Sequence, residues 1–322
     1  MRLLTSSGIK AFKDCGQKYA YRYDEMLEEV RRSPALAFGT AVHAGLEHYW
    51  GARRDGKPNP VRCAWDALPY DLDPFDREKA MALLHAYHYV WRRARVEVVG
   101  IEVPFELPLI DPMTGDAHPF FKRAGKIDLI LRQSDGKILL VEHKTTSDTV
   151  QAGGAYRQRL ILDEQISYYF DAAEALGIKP DVIIYDVLRK PTEKPYTATL
   201  NLKLKKNGEP YKNQRAKDEL ASEYGDRLID MFDETPGDYI FRIPVYRFSS
   251  EQSAIKEAIW NAAETIAFVQ ERGIYMKNSD ACQRKYGACP FLGLCEGSAR
   301  RDDITKFRVM EDAHPELREP RA

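Results

Sequence analysis

Two short segments of this 322-residue chain place acidic and basic side chains within apolar runs, GKID at 125–128 and VEHK at 141–144. Glu142 and Lys144 are two residues apart, so on a β-strand both side chains point to one face of the sheet. Asp128 is the last residue of the preceding segment, GKID. Charged groups at the end of an apolar run are costly unless they are paired or bind a ligand. These residues are therefore the first candidates for a functional site.

Asp128 and Glu142 would converge on one spot if the two segments formed a hairpin. Two neighbouring carboxylates suit a hard, oxygen-seeking cation such as Mg²⁺ or Mn²⁺. A lysine beside them can orient or deprotonate a water molecule, or stabilise negative charge that develops on a phosphate. The alternative is an ion pair between strands at the end of a sheet, without a catalytic role. The spacing alone leaves both interpretations open.

The surrounding pattern predicts a mixed α/β fold. Apolar residues at helical spacing predict helices over residues 6–20, 35–50, 76–95, 163–176, 211–233 and 250–271. Strand patterns occur at 96–110, 121–133, 137–146, 181–190 and 238–248. The Asp-Gly pair at 135–136 is a strong hairpin signal. Residues 51–75 form a loop-rich connection in this scheme.

We expect one domain over residues 1–322, because the sequence contains no clear linker or internal repeat. Its parts are an N-terminal helical part (1–95), a core (96–200), a C-terminal region with three cysteines (201–300) and a charged, mobile tail (301–322). A second domain would require a boundary that the sequence does not indicate.

The balance of 48 basic and 49 acidic residues gives a formal net charge of -1. This balance argues against a protein that holds nucleic acid by bulk electrostatics alone. The chain has no apolar run of membrane-spanning length and no secretory signal, so the sequence predicts a soluble, cytoplasmic protein without membrane contact. It also lacks a phosphate-binding loop of the type G-x-x-x-x-G-K-[S/T], which excludes a helicase of that class.

The arrangement of Asp128, Glu142 and Lys144 resembles the PD-(D/E)xK nuclease superfamily. The resemblance implies a restriction-endonuclease-like fold, with a mixed β-sheet core flanked by helices. It also implies that Asp128, Glu142 and the main-chain carbonyl of His143 bind Mg²⁺ or Mn²⁺. In this reading Lys144 is the catalytic lysine.

Two further motifs resemble the RecB-like branch of that superfamily. FGTAVH at 38–43 is similar to its Gly-x-x-x-His segment, which makes His43 a metal ligand; alone, His43 would be an ordinary helix histidine. Gln165 and Tyr169 match its Gln-x-x-x-Tyr motif and share one helix face, which implies a role in positioning the metal or the substrate. The alternative for this pair is a half-buried polar–aromatic contact.

Two glutamates on the strand over 96–110 are weaker candidates. Glu102 and Glu106 fit solvent-facing positions in the strand alternation, although either could approach the metal.

Four of the five cysteines are predicted to bind one metal centre, and the fifth is not. Cys282, Cys289 and Cys295 lie within fourteen residues, and Cys15 is the obvious fourth ligand for zinc or a cubane cluster. This distribution resembles the iron–sulfur RecB-like nucleases, including the AddB-type domain and the exonuclease of CRISPR adaptation, although the first gap is x6 rather than x2. The resemblance implies a 4Fe–4S staple that joins the two ends of the chain, with structural Zn²⁺ as the alternative. Cys63 is assigned a buried structural role.

The resemblance as a whole implies a DNA nuclease, acting as an exonuclease on single strands or DNA ends in recombination, repair or CRISPR-adaptation-like processing. A helicase or recombination protein is the implied partner, besides DNA. The alternatives are a catalytically quiet DNA-end-binding scaffold and an endonuclease. Short basic clusters would line a DNA groove or form solvated faces. Tyr19, Tyr21 and Tyr23 would stack on unpaired bases or, more simply, pack in the core.

Overall fold

A computed structural model of the chain describes residues 1–31, 33–209, 211, 214–247, 249–284 and 287–318. Within these residues the strands are β1 (Arg2–Leu4), β2 (Leu27–Glu29), β3 (Val96–Ile110), β4 (Ala117–Gln133), β5 (Ile138–Thr146), β6 (Val182–Arg189), β7 (Ile240–Val245), β8 (Gln283–Arg284), β9 (Gly287–Ala288) and β10 (Phe307–Val309). The α-helices are α1 (Ser6–Asp14), α2 (Gly16–Tyr19), α3 (Pro34–Arg54), α4 (Pro60–Asp66), α5 (Pro74–Trp91), α6 (Ala155–Ile161), α7 (Glu164–Ala175), α8 (Ala221–Glu234), α9 (Ser249–Arg272) and α10 (Leu292–Glu296).

A mixed six-stranded sheet forms the centre of the fold, as the sequence predicts. Its order is β1-β4-β5-β6-β7, and β3 pairs with β4. The pairs β1–β4 and β5–β6 are parallel, whereas β3–β4, β4–β5 and β6–β7 are antiparallel. The β4–β5 turn closes at Gly136, which has a φ of 89° that favours glycine. The predicted hairpin is therefore present.

Strand β4 has two different partners along one edge. β1 pairs with residues 121–123 and β5 pairs with residues 129–132, while β3 follows the opposite edge over the strand's length. Residues 124–128 thus lie between the two ladders. In this gap the Tyr168 hydroxyl donates to the Leu4 carbonyl at 2.6 Å and accepts from the Ala124 amide at 3.1 Å. The gap opens the sheet beside Asp128.

Helices cover both faces of the sheet. Successive residues of β4 and β5 face opposite sides, so Leu129 and Val141 join one apolar cluster and Ile130 and Leu140 join the other. The first cluster includes residues of α3, α4, α5 and α8, and the second includes residues of α1, α7 and α9. None of the helices within the described residues has the length and apolar character needed to span a bilayer.

The predicted loop at 51–75 is partly wrong. Helix α3 continues to Arg54, and α4 occupies Pro60–Asp66. Asn59 caps α4, since its side chain accepts a hydrogen bond from the Arg62 amide at 3.0 Å, and Pro60 stands at the start, where its missing N–H costs nothing. The turn-forming residues that suggested a loop are thus helix-start signals.

Two other predicted elements differ in their limits. The helix over 6–20 is interrupted at Cys15, which has extended backbone angles (φ -168°, ψ 119°) between α1 and α2. The helix predicted near 211–233 begins only at Ala221, where the Glu223 carboxylate accepts from the Leu220 amide at 3.2 Å. Residues 212, 213 and 248 of the predicted helices and strands lie outside the described part of the chain.

The predicted mobility of the charged tail is wrong for residues 301–318. Strand β10 pairs with β2, and Arg308 on β10 contacts Glu28 on β2 at 2.6 Å. Farther along, the His314 ring approaches the Leu3 carbonyl at 3.1 Å and packs on Tyr23. The C-terminal segment is therefore tied to the N-terminal segment by pairing between distant residues, which local sequence patterns do not indicate.

Candidate active site

Three carboxylates from three neighbouring strands stand in one row across the sheet. The pairs Ile101–Leu129 and Val103–Ile127 place Glu102 opposite Asp128. The β4–β5 ladder ends at Leu129–Val141, so Asp128 and Glu142 occupy the next position where these strands separate. Like charges directly opposite each other destabilise a sheet unless cations compensate them.

Asp128 is held from the β5 side. Its Oδ2 accepts a hydrogen bond from the His143 amide at 2.9 Å, and the Nδ1 atom of His43 lies 3.7 Å away. Burial alone would raise the pKa of Asp128, but the electrostatic effect of the nearby His43 ring and the interactions with His143 outweigh it and lower the pKa. Asp128 is thus kept ionised. Desolvation lowers the pKa of His43, which favours the neutral imidazole that metal ligation requires.

Glu142 and Lys144 face the same side of the sheet, as their spacing predicts. Lys144 Nζ lies 2.7 Å from Glu142 Oε1 and 2.9 Å from Gln165 Oε1. The Gln165 amide group donates to Glu142 Oε1 at 2.8 Å and to the Tyr169 hydroxyl at 3.1 Å. Helix α7 therefore brings Gln165 and Tyr169 to the hairpin, and the four side chains form one hydrogen-bonded group.

Glu142 is a buried carboxylate of which only one oxygen has partners among the described residues. Its burial, with the nearby Asp128 charge, raises its pKa to about 7, although Lys144 opposes the shift. Burial alone would lower the pKa of Lys144, but its contact with Glu142 outweighs this and raises it. The second oxygen, Glu142 Oε2, is buried and has no hydrogen-bond partner among the described residues. A cation at this oxygen would satisfy it.

Glu102 is the residue that sequence reasoning undervalued. Only 15% of its side chain is exposed, and its carboxylate lies 2.5 Å from Lys126 Nζ. Burial and the charge of Asp128 raise its pKa. Its φ of 48° is in the left-handed region, which is strained for a glutamate. The solvent-facing prediction is wrong for Glu102, whereas Glu106 is half exposed and pairs with Lys122 at 2.6 Å.

One ligand atom each from His43, Glu102 and Asp128 lies within 4.8 Å of the other two. Among the described residues, these form the one group of three or more histidine, cysteine and acidic side chains at such a distance. An imidazole with carboxylates is a donor set that suits Mn²⁺ or Mg²⁺. The orphaned Oε2 of Glu142 is consistent with the same requirement, so the residues present fit a divalent cation.

Two of the tyrosines considered for DNA contact, and two arginines of the short basic clusters at 53–54 and 300–301, have structural partners. Tyr19 and Tyr21 are each 4% exposed and pack in the core, which favours the packing alternative. Arg53 donates to the carbonyls of Trp91 (2.8 Å) and Ala94 (2.9 Å), and Arg301 pairs with Glu25 at 2.5 Å. These side chains stabilise contacts between elements.

The four cysteines of the predicted cluster line a single small cavity. Cys15, Cys282, Cys289 and Cys295 surround a space of about 140 Å³, beside Lys18 and Tyr21. All are free thiols, and the Cys289 amide donates to the Cys282 carbonyl at 2.8 Å. Burial raises the pKa of the Cys289 thiol. No three of these sulfur atoms, all within the described residues, lie within 4.8 Å of one another. Cys63 is apart from this group, half-buried on α4.

Comparison with known proteins bears on the fold and the chemistry. No curated protein matches the chain in sequence. The crystal structure of SSO0001 is similar over 71% of this chain and 75% of that chain, with 12% sequence identity and a TM-score of 0.29. The family model of the PD-(D/E)XK nuclease superfamily matches residues 4–296, a span that includes His43, Asp128, Glu142 and Lys144. The chain therefore belongs to the PD-(D/E)XK nuclease superfamily, whose members are typically metal-dependent nucleases.

Proposed function

We propose that this protein is a Mg²⁺- or Mn²⁺-dependent deoxyribonuclease of the RecB-like branch, acting as an exonuclease on single strands or DNA ends. The observation that carries the proposal is the buried Glu142 Oε2, which has no partner among the described residues and stands beside the Asp128 carboxylate row. A buried carboxylate oxygen is costly unless a cation or a donor satisfies it. If Glu142 only formed a structural ion pair with Lys144, that pair would satisfy Glu142 Oε1 and leave Glu142 Oε2 without a partner.

Each residue of the group has a definite task in this proposal. His43, Glu102, Asp128 and Glu142 hold the cation, and the main-chain carbonyl of His143 is a further ligand. The bound divalent ion supplies Lewis-acid stabilisation of the phosphate and a water molecule of lowered pKa.

Lys144 directs its ammonium group at the attacking water and at the negative charge that develops on the phosphate. Gln165 fixes Lys144, because its Oε1 accepts from Nζ while its amide holds Glu142. Tyr169 in turn accepts from Gln165.

A cleft beside Lys144 is the proposed path of the DNA strand. Its volume is about 880 Å³, and Lys144, Gln165, Lys10, Lys13, Arg159 and Lys190 are among its lining residues. Lys190 Nζ stands over the Phe38 ring at 4.1 Å. Basic side chains beside apolar surface suit a phosphate backbone with unpaired bases. Asp14, Asp148, Asp163 and Glu164 also line the cleft. The proposed contact with DNA therefore depends on individual side chains such as Lys10 and Lys190 and not on a net positive charge.

Digestion of three substrates separates the proposal from its alternatives. Linear single-stranded, linear duplex and covalently closed circular DNA are incubated with Mn²⁺ and wild-type protein. We expect loss of linear DNA from its ends and intact circles. Cleavage of circles would indicate an endonuclease, and retention of all substrates with end binding would indicate a catalytically quiet scaffold. Wild-type rates in Glu142→Ala would contradict the proposed site.

We also propose that Cys15, Cys282, Cys289 and Cys295 bind a 4Fe–4S cluster that joins both ends of one domain. The shared cavity supports this proposal. Tetrahedral zinc would bring all four sulfur atoms to about 3.8 Å from one another, whereas no three of them, all within the described residues, lie within 4.8 Å of one another. A cubane cluster holds its thiolates farther apart, because each binds a different iron. Zinc remains the alternative that metal analysis tests. The proposal that the chain is one domain is supported by two strand pairs. The β1–β4 pair joins the N-terminal segment to the central sheet, and the β2–β10 pair joins it to the C-terminal segment.

A further inference from the structure

A long connection between β6 and α8 leaves the sheet beside the proposed active site. It covers residues 190–220, and its described residues contain no helix or strand. At its start the Lys190 amide donates to the Thr146 carbonyl at 2.7 Å, and both residues line the cleft beside Lys144. Connections of this length without secondary structure are uncommon and are usually either functional or disordered. The hydrogen bonds of this connection decide between the two.

The base of the connection is fixed by buried polar contacts. The Tyr196 amide donates to Glu219 Oε2 at 2.8 Å, and the Glu219 amide donates to the Tyr196 carbonyl at 2.9 Å. Glu219 is 4% exposed and also accepts from the Arg227 guanidinium at 2.9 and 2.8 Å. That guanidinium stacks over the Tyr196 ring at 4.1 Å. Residues 196–219, which we call the arm, are therefore closed at the base and anchored to α8.

Contacts between the two sides of the arm continue toward its tip. The Thr199 amide donates to the Arg215 carbonyl at 2.9 Å, and the Lys205 amide donates to the Glu209 carbonyl at 2.7 Å. Gly208, at the tip, has a φ of 84°, which favours glycine. These hydrogen bonds give the described part of the arm a defined shape, which favours the functional interpretation.

Positive charge is concentrated in the outer part of the arm. Residues 199–217 include six lysine or arginine residues and one acidic residue, Glu209, whereas the whole chain has a net charge of -1. Lys203, Lys205 and Lys206 are all exposed, and among the described residues only Lys205 of these three has an ion-pair partner, Glu209 at 3.9 Å. Like charges in one short segment repel each other, so a ligand of opposite charge would stabilise the arm.

The acidic residues at the base of the arm already have partners. Asp218 Oδ1 accepts from the Ala198 amide at 2.7 Å, and Glu219 pairs with Arg227 at 2.8 Å. They hold the arm in place and do not reach its tip lysines in any contact between described residues.

The cleft differs from the arm in this respect. Lys13 Nζ lies 2.5 Å from Glu164, and Arg159 lies 2.7 Å from Asp148, so carboxylates of the protein compensate two of the cleft's basic side chains. A DNA strand in the cleft therefore gains little from its net charge and needs positive charge elsewhere on its path.

We propose that the arm binds the phosphate backbone of the DNA strand where it extends out of the cleft, through Lys203, Lys205 and Lys206. The inference rests on the proposed action on DNA, but it concerns a surface outside the metal site. DNA is the occupant that the position favours, because the connection that carries the arm begins at the cleft. Lysine contacts phosphate as a point charge, so this binding is independent of base sequence.

The test is DNA binding by fluorescence anisotropy, without added divalent cation so that hydrolysis does not consume the probe. Two labelled oligodeoxythymidines are used, one short enough to occupy the cleft alone and one several times longer. The arm variant carries Lys203→Gln, Lys205→Gln and Lys206→Gln. A control variant loses the same charge at three exposed lysines in the α3–α4, β4–β5 and α7–β6 connections: Lys57→Gln, Lys137→Gln and Lys179→Gln. Thermal unfolding checks that both variants fold.

We expect the arm variant to bind the long probe about tenfold or more weakly than the control variant does. The dependence of its log affinity on log salt concentration should become less steep by up to about 2, because each phosphate contact to a single strand contributes about 0.7. The short probe should bind equally to wild type and to both variants, since it does not reach the arm.

Two outcomes would overturn the proposal: equal affinity of the arm and control variants for the long probe, or equal losses for the long and short probes. If binding changes as expected while linear DNA with Mn²⁺ stays intact, the role of the arm stands and the proposed nuclease function fails. If wild-type protein degrades linear DNA but the arm variant binds the long probe as the control does, the inference about the arm alone fails.

Discussion

Glu102 faces Asp128 across β3 and β4, and it does so with a backbone φ of 48°. A glutamate in the left-handed region is strained, and such residues persist where the surroundings enforce them, commonly at functional sites. Lys126, two residues before Asp128, neutralises Glu102 at 2.5 Å. Each outer carboxylate of the row thus has its own lysine, since Lys144 contacts Glu142 at 2.7 Å. The three carboxylates therefore need nearby positive charge, which the two lysines and a bound cation would supply.

Glu102→Gln should weaken Mn²⁺ binding by about tenfold, because an amide oxygen carries no charge for the cation. Titration calorimetry measures the effect. Glu106→Gln is the matched control: Glu106 lies on the same strand and pairs with Lys122 at 2.6 Å, but it is half exposed. Equal affinities for the two variants would exclude Glu102 from the metal site.

Lys144→Ala should lower the rate of DNA hydrolysis by roughly 10² or more while Mn²⁺ affinity changes little. The ammonium group acts on the water and the phosphate, whereas the ligands are the carboxylates and His43. Single-turnover digestion and calorimetry separate the two effects. Lys122→Ala removes a lysine from the exposed end of β4 and should leave the rate unchanged. A Lys144→Ala protein with wild-type turnover would refute the catalytic assignment.

The affinity for Mn²⁺ should rise with pH and level off above about 7. The pKa of Glu142 is raised to about 7 by burial, so below this pH a proton occupies the carboxylate and competes with the metal. The sign follows because deprotonation creates the ligand; the slope should approach a factor of about ten per pH unit below 7. The pKa values of Asp128 and His43 are lowered, so these groups are already metal-competent there.

Glu142→Gln supplies the control for this pH dependence. The glutamine cannot titrate, so its weaker binding should vary much less with pH between 6 and about 7.5. If the wild-type slope persists in this variant, another group controls the titration.

The hairpin could be predicted because its signals are local. The Asp-Gly turn fixes the pairing of β4 and β5, and the two-residue spacing of Glu142 and Lys144 fixes their shared face. Gln165 and Tyr169 follow from helical periodicity in the same way. Contacts between residues close in sequence need no knowledge of the rest of the fold.

Glu102 could not be assigned for a physical reason. The register of β3 against β4 shifts between Val98 and Gly100, but Glu102 and Glu106 both lie beyond this shift. Glu102 is covered because it stands opposite Asp128 and contacts Lys126, and the local alternation does not distinguish it from Glu106. The prediction of a mobile C-terminal tail was wrong for a related reason. The pairing of β10 with β2 joins residues some 280 positions apart, and no local pattern encodes it. Cross-strand contacts and distant pairings both depend on the assembled sheet.

Cys289→Ser should abolish the proposed cluster. Anaerobically purified wild-type protein should be brown, with broad absorbance near about 400 nm and bound iron, whereas the variant should be colourless and less stable, because metal binding contributes to folding. Cys63→Ser is the control, since Cys63 lies on α4 away from the cysteine cavity, and it should keep the colour. A colourless wild-type protein that contains zinc would establish the alternative.

Gly125→Ala should disturb the site through packing alone. A Cβ at this position would lie 2.6 Å from Phe105 Cζ and 3.1 Å from Tyr169 Cε1. Overpacking of this kind costs about 1–3 kcal/mol. The Tyr169 ring would also shift, and with it the 3.1 Å contact to Gln165. We expect lower stability in urea unfolding together with slower DNA hydrolysis.

Two further variants show whether the clash causes the loss. Gly51→Ala, on α3 with no atom within 4 Å of the added Cβ, should be neutral or stabilising by up to about 1 kcal/mol, because alanine favours helix. Phe105→Leu shortens the side chain that meets the new methyl group. When Phe105→Leu is added to Gly125→Ala, the double variant should therefore regain part of the stability that Gly125→Ala loses. Its free energy of unfolding should exceed the value expected from adding the two single changes. Strictly additive losses would mean that Gly125 is required for another reason than the close approach of Phe105.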